Sequence, residues 1–361
     1  MKVYKVAIIG CGRIAGHHCR ALLKTEGLEL VAVCDLEIQK ANKYRDEFGV
    51  AAFSNYHTML KELTNIDIVA IITPSGMHFE HSMDVLKIYK KHIIVEKPTF
   101  MKPSHLNKAY EVAERLGLKI FPVFQNRHNL AVQRVKKALI QNELGDIRVI
   151  GVRVRWCRPQ RYYDLAAWRG TLSHDGGALS NQGIHHVDLL RYLGGEVSQV
   201  NATMRTLGAE IEAEDTIVSS FTYENNAVGT LEITTAARPD DFEASISIIG
   251  SKGLAQIGGI AVNELQIFTP DEKACKENTE DFSECIYGNG HFILYKDIYL
   301  SINTGAAFSI SQKDCFQSMH LLHAFYRSDE KNNWQKVNED GESKRLGRTN
   351  NNISNLYRTV V

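Results

Sequence analysis

Val3-Tyr4-Lys5-Val6-Ala7-Ile8-Ile9-Gly10-Cys11-Gly12-Arg13-Ile14-Ala15 is the stretch whose reading decides the fold. Val3 to Ile9 is a short apolar strand. Two glycines and an alanine follow in G-x-G-x-x-A spacing, and a helical stretch runs from His17 to Leu23. A second apolar strand, Leu28 to Cys34, ends at Asp35. Each part suits a dinucleotide. Gly10 makes the tight turn, and Gly12 lets a pyrophosphate approach the backbone at a helix N-terminus. Ala15 permits close helix–strand packing. Arg13 and Ile14 complete the cradle. Asp35 accepts hydrogen bonds from the adenosine ribose and would repel a 2′-phosphate, so the expected cofactor is NAD rather than NADP.

Working outward, strands alternate with helices. Ile66–Ile72 leads into Thr73-Pro74-Ser75-Gly76-Met77-His78, and His92–Val95 leads into Glu96-Lys97-Pro98. Helical stretches fall at Asn55–Thr64, His78–Tyr89 and Ser104–Leu116, before a last strand at Lys119–Val123. This alternation predicts an α/β fold, a doubly wound parallel sheet over residues 1–123. Its ligand lies off the carboxyl ends of the strands. Thr73, Pro74, Ser75, His78, Glu96 and Lys97 are therefore expected at the cofactor. Lys97, extended before its proline, should face the nicotinamide. His17 and His18 read as packing or surface residues.

Asp175 to Leu193 runs from a glycine pair to a helix end at Gly194-Gly195. At 3.6 residues per turn, Asn181, His185 and Asp188 share one face and Ile184, Val187 and Leu190 another. Polar groups in a row on a largely apolar helix are buried and hydrogen-bonded, which suits either a catalytic set or a polar core network.

The motifs Gly-Cys-Gly-Arg-Ile-Ala, Glu96-Lys97-Pro98 and Gly183-Ile184-His185-His186-Val187-Asp188 together resemble the glucose–fructose oxidoreductase / inositol dehydrogenase / MocA family, from residue 1 to about residue 325. The resemblance implies a Rossmann domain joined to a C-terminal domain with an open mixed sheet. It also implies that Lys97 and His185 flank the nicotinamide.

Residues 124–330 carry the features of that second, α+β domain with a large, mainly antiparallel sheet. Gln125-Asn126-Arg127-His128-Asn129 precedes a helix to about Asn142. Ile147–Trp156 then alternates, with Ile150, Val152, Val154 and Trp156 on one face and Arg153 and Arg155 on the other. More strands are expected near Gln199–Thr206, Thr216–Tyr223, Ala227–Thr235 and Ala244–Ile249. A second subunit would cover such a sheet's exposed face, giving a homodimer or homotetramer. Arg158, Arg161, Tyr163, Trp168 and Arg169 form a basic, aromatic loop suited to phosphates, carboxylates and flat rings, or a solvated surface.

With Gln125, Arg127, Asn181 and the Ser180–His185 run, this loop is similar to a narrower branch, the UDP-N-acetylglucosaminuronate 3-dehydrogenases. The branch implies NAD-dependent oxidation of a sugar C3 hydroxyl in bacterial surface-polysaccharide synthesis. Inositol dehydrogenase-like members carry aspartate where this chain has Asn181. An Asp–His proton relay is then absent, and simple polyol oxidation is disfavoured.

Hydride transfer from a secondary alcohol needs a base and a positioned hydroxyl. His185 is the expected base, and Lys97 the donor to the same oxygen. Asn181 orients sugar or imidazole, and Asp188 fixes a histidine tautomer or serves structure. No metal is expected, because adjacent helical histidines diverge by roughly 100°. Competing readings are a keto-sugar reductase, a free sugar or polyol dehydrogenase, and a non-enzymatic NAD-binding sensor.

Over 361 residues, 42 basic side chains balance 42 acidic ones, which argues against nucleic acid or an anionic membrane as partner. The seven scattered cysteines lack zinc-type pairing and read as reduced cytosolic thiols, and no apolar run approaches membrane-spanning length. The expectation is a cytoplasmic enzyme. Pro270–Gly290 reads as a polar surface excursion and Asp314–Arg327 as an amphipathic helix. Residues 331–361 are a tail without assigned role, its hydrophilic part Asn338–Asn355 folding back or serving as an oligomer arm.

Overall fold

The computed structural model describes residues 2–282, 288–338 and 341–359. Six parallel strands, β1 (Tyr4–Ile9), β2 (Leu28–Cys34), β3 (Ala51–Phe53), β4 (Ile68–Ile71), β5 (His92–Val95) and β6 (Ile120–Pro122), form one sheet in the order β3-β2-β1-β4-β5-β6. Parallel sheets need both faces covered, and here Val6, Ile8, Ile68, Ile71, Ile93 and Val95 are fully buried. The strand order reverses at β1/β4, the point where an open α/β sheet offers a crevice.

The second sheet has eight strands. β7 (Ile147–Arg155), β8 (Val197–Arg205), β9 (Thr216–Tyr223), β10 (Val228–Thr234), β11 (Glu243–Gly250), β12 (Leu254–Gly258), β13 (Glu264–Phe268) and β14 (Gln335–Lys336) run in the order β13-β12-β11-β7-β10-β9-β8-β14. Only the β7–β10 pair is parallel, with Val152 opposite Leu231; the other pairs are antiparallel. One face buries Ile150, Val152, Val154, Leu231 and Ile233. The opposite face, which the sequence assigns to a second subunit, exposes Val149, Val218, Val228 and Ile249 beside an Arg155–Glu232–Glu243 cluster.

The chain divides into two compact units. The first takes residues 1–123 together with 291–315 and 349–361, and the second takes 124–290 and 316–348. The expected consecutive segments differ from these units in two places. Helix Gly290–Thr304 adds its length from His291 onward to the parallel-sheet unit, burying Leu294, Tyr295 and Ile298, and the end of the chain returns to the same unit. The excursion at Pro270–Gly290 lies mostly at the surface over its described residues, and it is anchored to β13 through helix Lys273–Glu277, buried Ala274 and a bond from the Asn263 amide to the Glu280 carbonyl. Its residues 283–287, like 339–340 of the hydrophilic stretch, lie outside the described residues. Among those described, no helix is long and apolar enough to cross a membrane.

Candidate active site

Gly10 turns at φ +100°, donates its N–H to the Cys34 carbonyl at 2.8 Å, and has no room for a side chain. A Cβ there would stand 2.4 Å from the Ile72 carbonyl oxygen. Gly12 opens onto space, with nothing within 4 Å of where a Cβ would stand. Helix Ala15–Leu23 follows, with exposed Arg13 and half-buried Ile14 at its entrance. One oxygen of Asp35 accepts from the Cys11 amide at 2.8 Å and the other from the Glu37 amide at 2.9 Å. An anchored carboxylate thus stands beside a bare backbone cradle at a helix N-terminus, which fits a dinucleotide's ribose and pyrophosphate.

The loops after β4 and β5 are tied together by His78. Its buried ring lies 2.9 Å from both the Pro98 and Thr73 carbonyl oxygens. The sequence placed His78 against the cofactor; its nitrogens are instead occupied by backbone, so it shapes the site through the two loops. Burial lowers its proton affinity. Thr73 and Pro74 are half-buried and Ser75 is buried, with the Thr73 hydroxyl 3.0 Å from His81 Nδ1.

Glu96 anchors the loop that carries Lys97. One carboxylate oxygen accepts from the Lys97 amide at 2.9 Å, and the other lies 2.9 Å from His18 Nε2 and 3.7 Å from His291 Nε2. The other ring nitrogen of His18, Nδ1, lies 2.8 Å from the Tyr295 hydroxyl. Burial opposes the charge on Glu96, yet the His18 and His291 contacts outweigh it and hold the carboxyl well below the usual range. These three residues bring ligand-type atoms within 4.8 Å of one another. We read the cluster as a hydrogen-bonded anchor, since Glu96 and His18 are also engaged by the Lys97 amide and Tyr295. The sequence missed His18 as a functional position. The signal was there, because it shares the buried stripe of its helix with Ala15, Cys19 and Leu22.

In the second unit the stretch from Asp175 is not one continuous helix. Ala178–Gln182 is a π-helical turn, and a regular helix, Ile184–Gly194, starts only after Gly183. The turn breaks the 3.6-residue phase, so the three polar residues expected on one face engage separate partners. Asn181 donates to Asp175, whose other oxygen accepts from the Gly170 amide at 2.6 Å. His185, buried in the first turn of its helix, has Nε2 at 3.3 Å from the Gln125 amide nitrogen. Asp188 forms a two-pronged ion pair with Arg127, at 2.7 and 2.6 Å, and accepts from the Ser318 hydroxyl at 2.9 Å. Asp188 therefore holds an arginine rather than fixing a histidine tautomer. Adjacent His186 is fully buried edge-on to Trp156, and burial pushes it down to about 4.

Two residues expected at the substrate have polar atoms bound inside the fold, namely Arg127 and Tyr163, whose hydroxyl meets Thr235 at 2.9 Å. The rest of the basic loop stays accessible. Arg158 pairs with Asp241 at 2.7 Å and lies over the Trp156 and Tyr162 rings, while Arg169 covers Tyr162 and Trp168 at 4.3 and 4.7 Å. Arg161 is exposed on helix Gln160–Tyr163, and Gln182 donates to Tyr162 at 3.2 Å, tying the loop to the π turn.

Glu214 supports the same turn from beneath. It accepts from the Leu179 amide at 3.1 Å and meets the Tyr326 hydroxyl at 2.7 Å, and Tyr326 also reaches the Gly176 carbonyl. A Cβ at Gly177 would strike this carboxyl at 2.3 Å, and the φ of +81° suits only glycine. Burial pushes Glu214 up to about 8. Burial thus favours the protonated carboxyl, although the Tyr326 hydroxyl that donates to it opposes the shift. The folded form binds this proton more tightly than the unfolded chain does. Stability from this group is therefore complete below the ordinary carboxylate range and declines as pH rises towards 8. The expected loss is on the order of a few kcal/mol. Glu214→Gln should flatten that part of a urea-unfolding profile measured from pH 5 to 9; an unchanged slope would remove the assignment.

The dinucleotide cradle and a histidine set among polar side chains define an oxidoreductase that uses NAD. Residues 4–124 match the oxidoreductase family with an NAD-binding Rossmann fold, and residues 132–256 match the GFO/IDH/MocA C-terminal domain. The chain belongs to the Gfo/Idh/MocA family. It is similar to the WlbA dehydrogenase from Bordetella pertussis, solved in complex with NADH and UDP-GlcNAcA, at 33% identity and a TM-score of 0.88, covering 94% of this chain and 99% of that one. Among curated relatives, glucose-6-phosphate 3-dehydrogenase of Bacillus subtilis is 29% identical over 69% of this chain and 72% of its own length. D-glucoside 3-dehydrogenase of Escherichia coli is 27% identical over 64% and 70%.

Proposed function

We propose that this enzyme oxidises the C3 hydroxyl of a UDP-linked N-acetylaminosugar uronate to the ketone, with NAD as acceptor, for surface-polysaccharide synthesis. The observation that carries the reading is the likeness over 94% of the chain to a dehydrogenase solved with NADH and UDP-GlcNAcA. The accessible Arg158–Arg169 loop supports it, since guanidinium groups beside aromatic rings suit a diphosphate, a carboxylate and a uracil. Two curated relatives named as 3-dehydrogenases support the carbon chosen.

The bound cofactor supplies a nicotinamide that accepts a hydride. His185 takes the hydroxyl proton as C3 loses its hydride, leaving a ketone. Lys97 donates a hydrogen bond to the oxygen as negative charge develops there. Gln125 holds the imidazole, Asp175 holds Asn181 in place to orient the sugar, and Glu96 holds the backbone of Lys97.

The test is NADH absorbance on mixing protein and NAD with UDP-N-acetylglucosaminuronate, UDP-N-acetylglucosamine, glucose 6-phosphate and inositol. The expected result is a burst with the uronate alone. Silence with the uronate and turnover of glucose 6-phosphate would replace this reading with a sugar-phosphate 3-dehydrogenase, which the 29% identical relative favours.

A further inference from the structure

Residues 349–359 fall in the tail to which the sequence assigns no role, and they belong to the NAD-binding unit. Asn350 caps a short turn of helix, Asn351–Ser354, by accepting from the Ile353 amide. Backbone bonds from Tyr357 and Arg358 to Ser354 carry the fold onward. Arg358 then grips Glu80 with both prongs, at 2.7 and 2.9 Å, and spends its remaining nitrogen on Asn355 at 2.6 Å.

The residues this segment meets share one location. Glu80 lies in the first turn of helix His78–Asp84, which follows β4, His81 is its next residue, and the backbone of Tyr357 lies against the buried His81 ring. Tyr56, beside Thr359, opens helix Tyr56–Glu62 after β3. Lys40, near the Tyr357 phenol and Asp35, is in the first turn of helix Ile38–Phe48 after β2. Chain connectivity puts all three helix starts at the carboxyl edge of the parallel sheet. That is the edge where the crevice at the strand-order reversal takes its ligand. Asp35, the ribose partner, marks one wall there; Thr73, bonded to His81 at 3.0 Å, marks the other.

We propose that Asn350–Thr359 is a latch across the adenosine end of the cofactor crevice, with Arg358–Glu80 as its catch, and that it slows NADH release. This assignment rests on NAD binding and is independent of which sugar is oxidised. An exposed two-pronged pair is worth little alone, so each catch variant should change the rate modestly, whereas removing the segment should change it more.

The experiment is stopped-flow fluorescence of NADH displacement from the full chain, from Arg358→Ala, from Glu80→Gln, and from a chain ending at Arg348. Release should quicken about threefold in each point variant, without addition in the double variant. It should quicken about tenfold or more in the shortened chain, from the combined loss of the pair and the Tyr357 and Thr359 contacts. ADP-ribose affinity should weaken in parallel, since the latch sits over the adenosine half. Unchanged release in both point variants, or faster NADH release with ADP-ribose affinity intact, would overturn the proposal. The point variants keep the test decisive if the shortened chain does not fold.

Discussion

Alanine at His185 or at Lys97 is expected to lower turnover by about two or more orders of magnitude while NADH still binds, the size typical of a lost acid–base or oxyanion partner. The two substitutions should leave the fold in place for different reasons. Lys97 is half-buried, and its loop is held by a bond from its own backbone amide to Glu96, which alanine keeps. His185 occupies an early helical position, where alanine is a good helix former, and the imidazole contacts there include Gln125 and the edge of the Phe124 ring rather than an ion pair. The checks are kcat against KM, an NADH fluorescence titration and a thermal melt on each variant. Turnover within tenfold of the parent in either protein, with binding intact, would withdraw that residue from the chemistry. A fall in NADH affinity equal to the fall in turnover would instead assign Lys97 to holding the cofactor.

The strand–turn–helix–strand unit at the start of the chain was legible because its signals are local. Gly10, Gly12, Ala15 and Asp35 sit in one strand–turn–helix–strand unit, and each residue's job follows from backbone geometry within thirty residues of chain. The polar residues and basic loop of the second unit were legible only in composition. Spacing placed Asn181, His185 and Asp188 on one helical face, but the π turn at Ala178–Gln182 shifts the phase between the first and second of them. Periodicity cannot foresee that, because the shift is set by Gly177 packing on Glu214 and by Asp175 capturing Asn181. Strands β3, β12 and β13 went unread because three to five residues hold too little alternation to detect. Helix Gly290–Thr304 went unread for the opposite reason. It is apolar on most sides and rich in isoleucine and tyrosine, and nothing in it says that Tyr295 will meet His18, far back in the chain.

Breaking the Arg127–Asp188 pair should be the most destabilising change in the second unit. The two side chains are 4% and 1% exposed, and they meet in fork geometry, with the Ser318 hydroxyl also donating to the carboxylate. Arg127→Met leaves a buried carboxylate without its cation, and Asp188→Leu leaves a buried guanidinium without its anion. Each should cost about 3–5 kcal/mol, because desolvation is no longer offset by the partner. The double variant should recover most of that loss, since an apolar pair of similar volume replaces an ion pair at little net cost. Urea-unfolding midpoints measure all three. Single variants within about 1 kcal/mol of the parent would show that water or another group satisfies the stranded charge. The pair also has a place in the chemistry. Arg127 is two residues from Gln125, and Asp188 is one helical turn from His185, so the ion pair clamps the two segments whose side chains meet at 3.3 Å. In the double variant, restored stability with turnover still depressed would assign the pair to positioning His185, and recovery of both would make it a purely structural clamp.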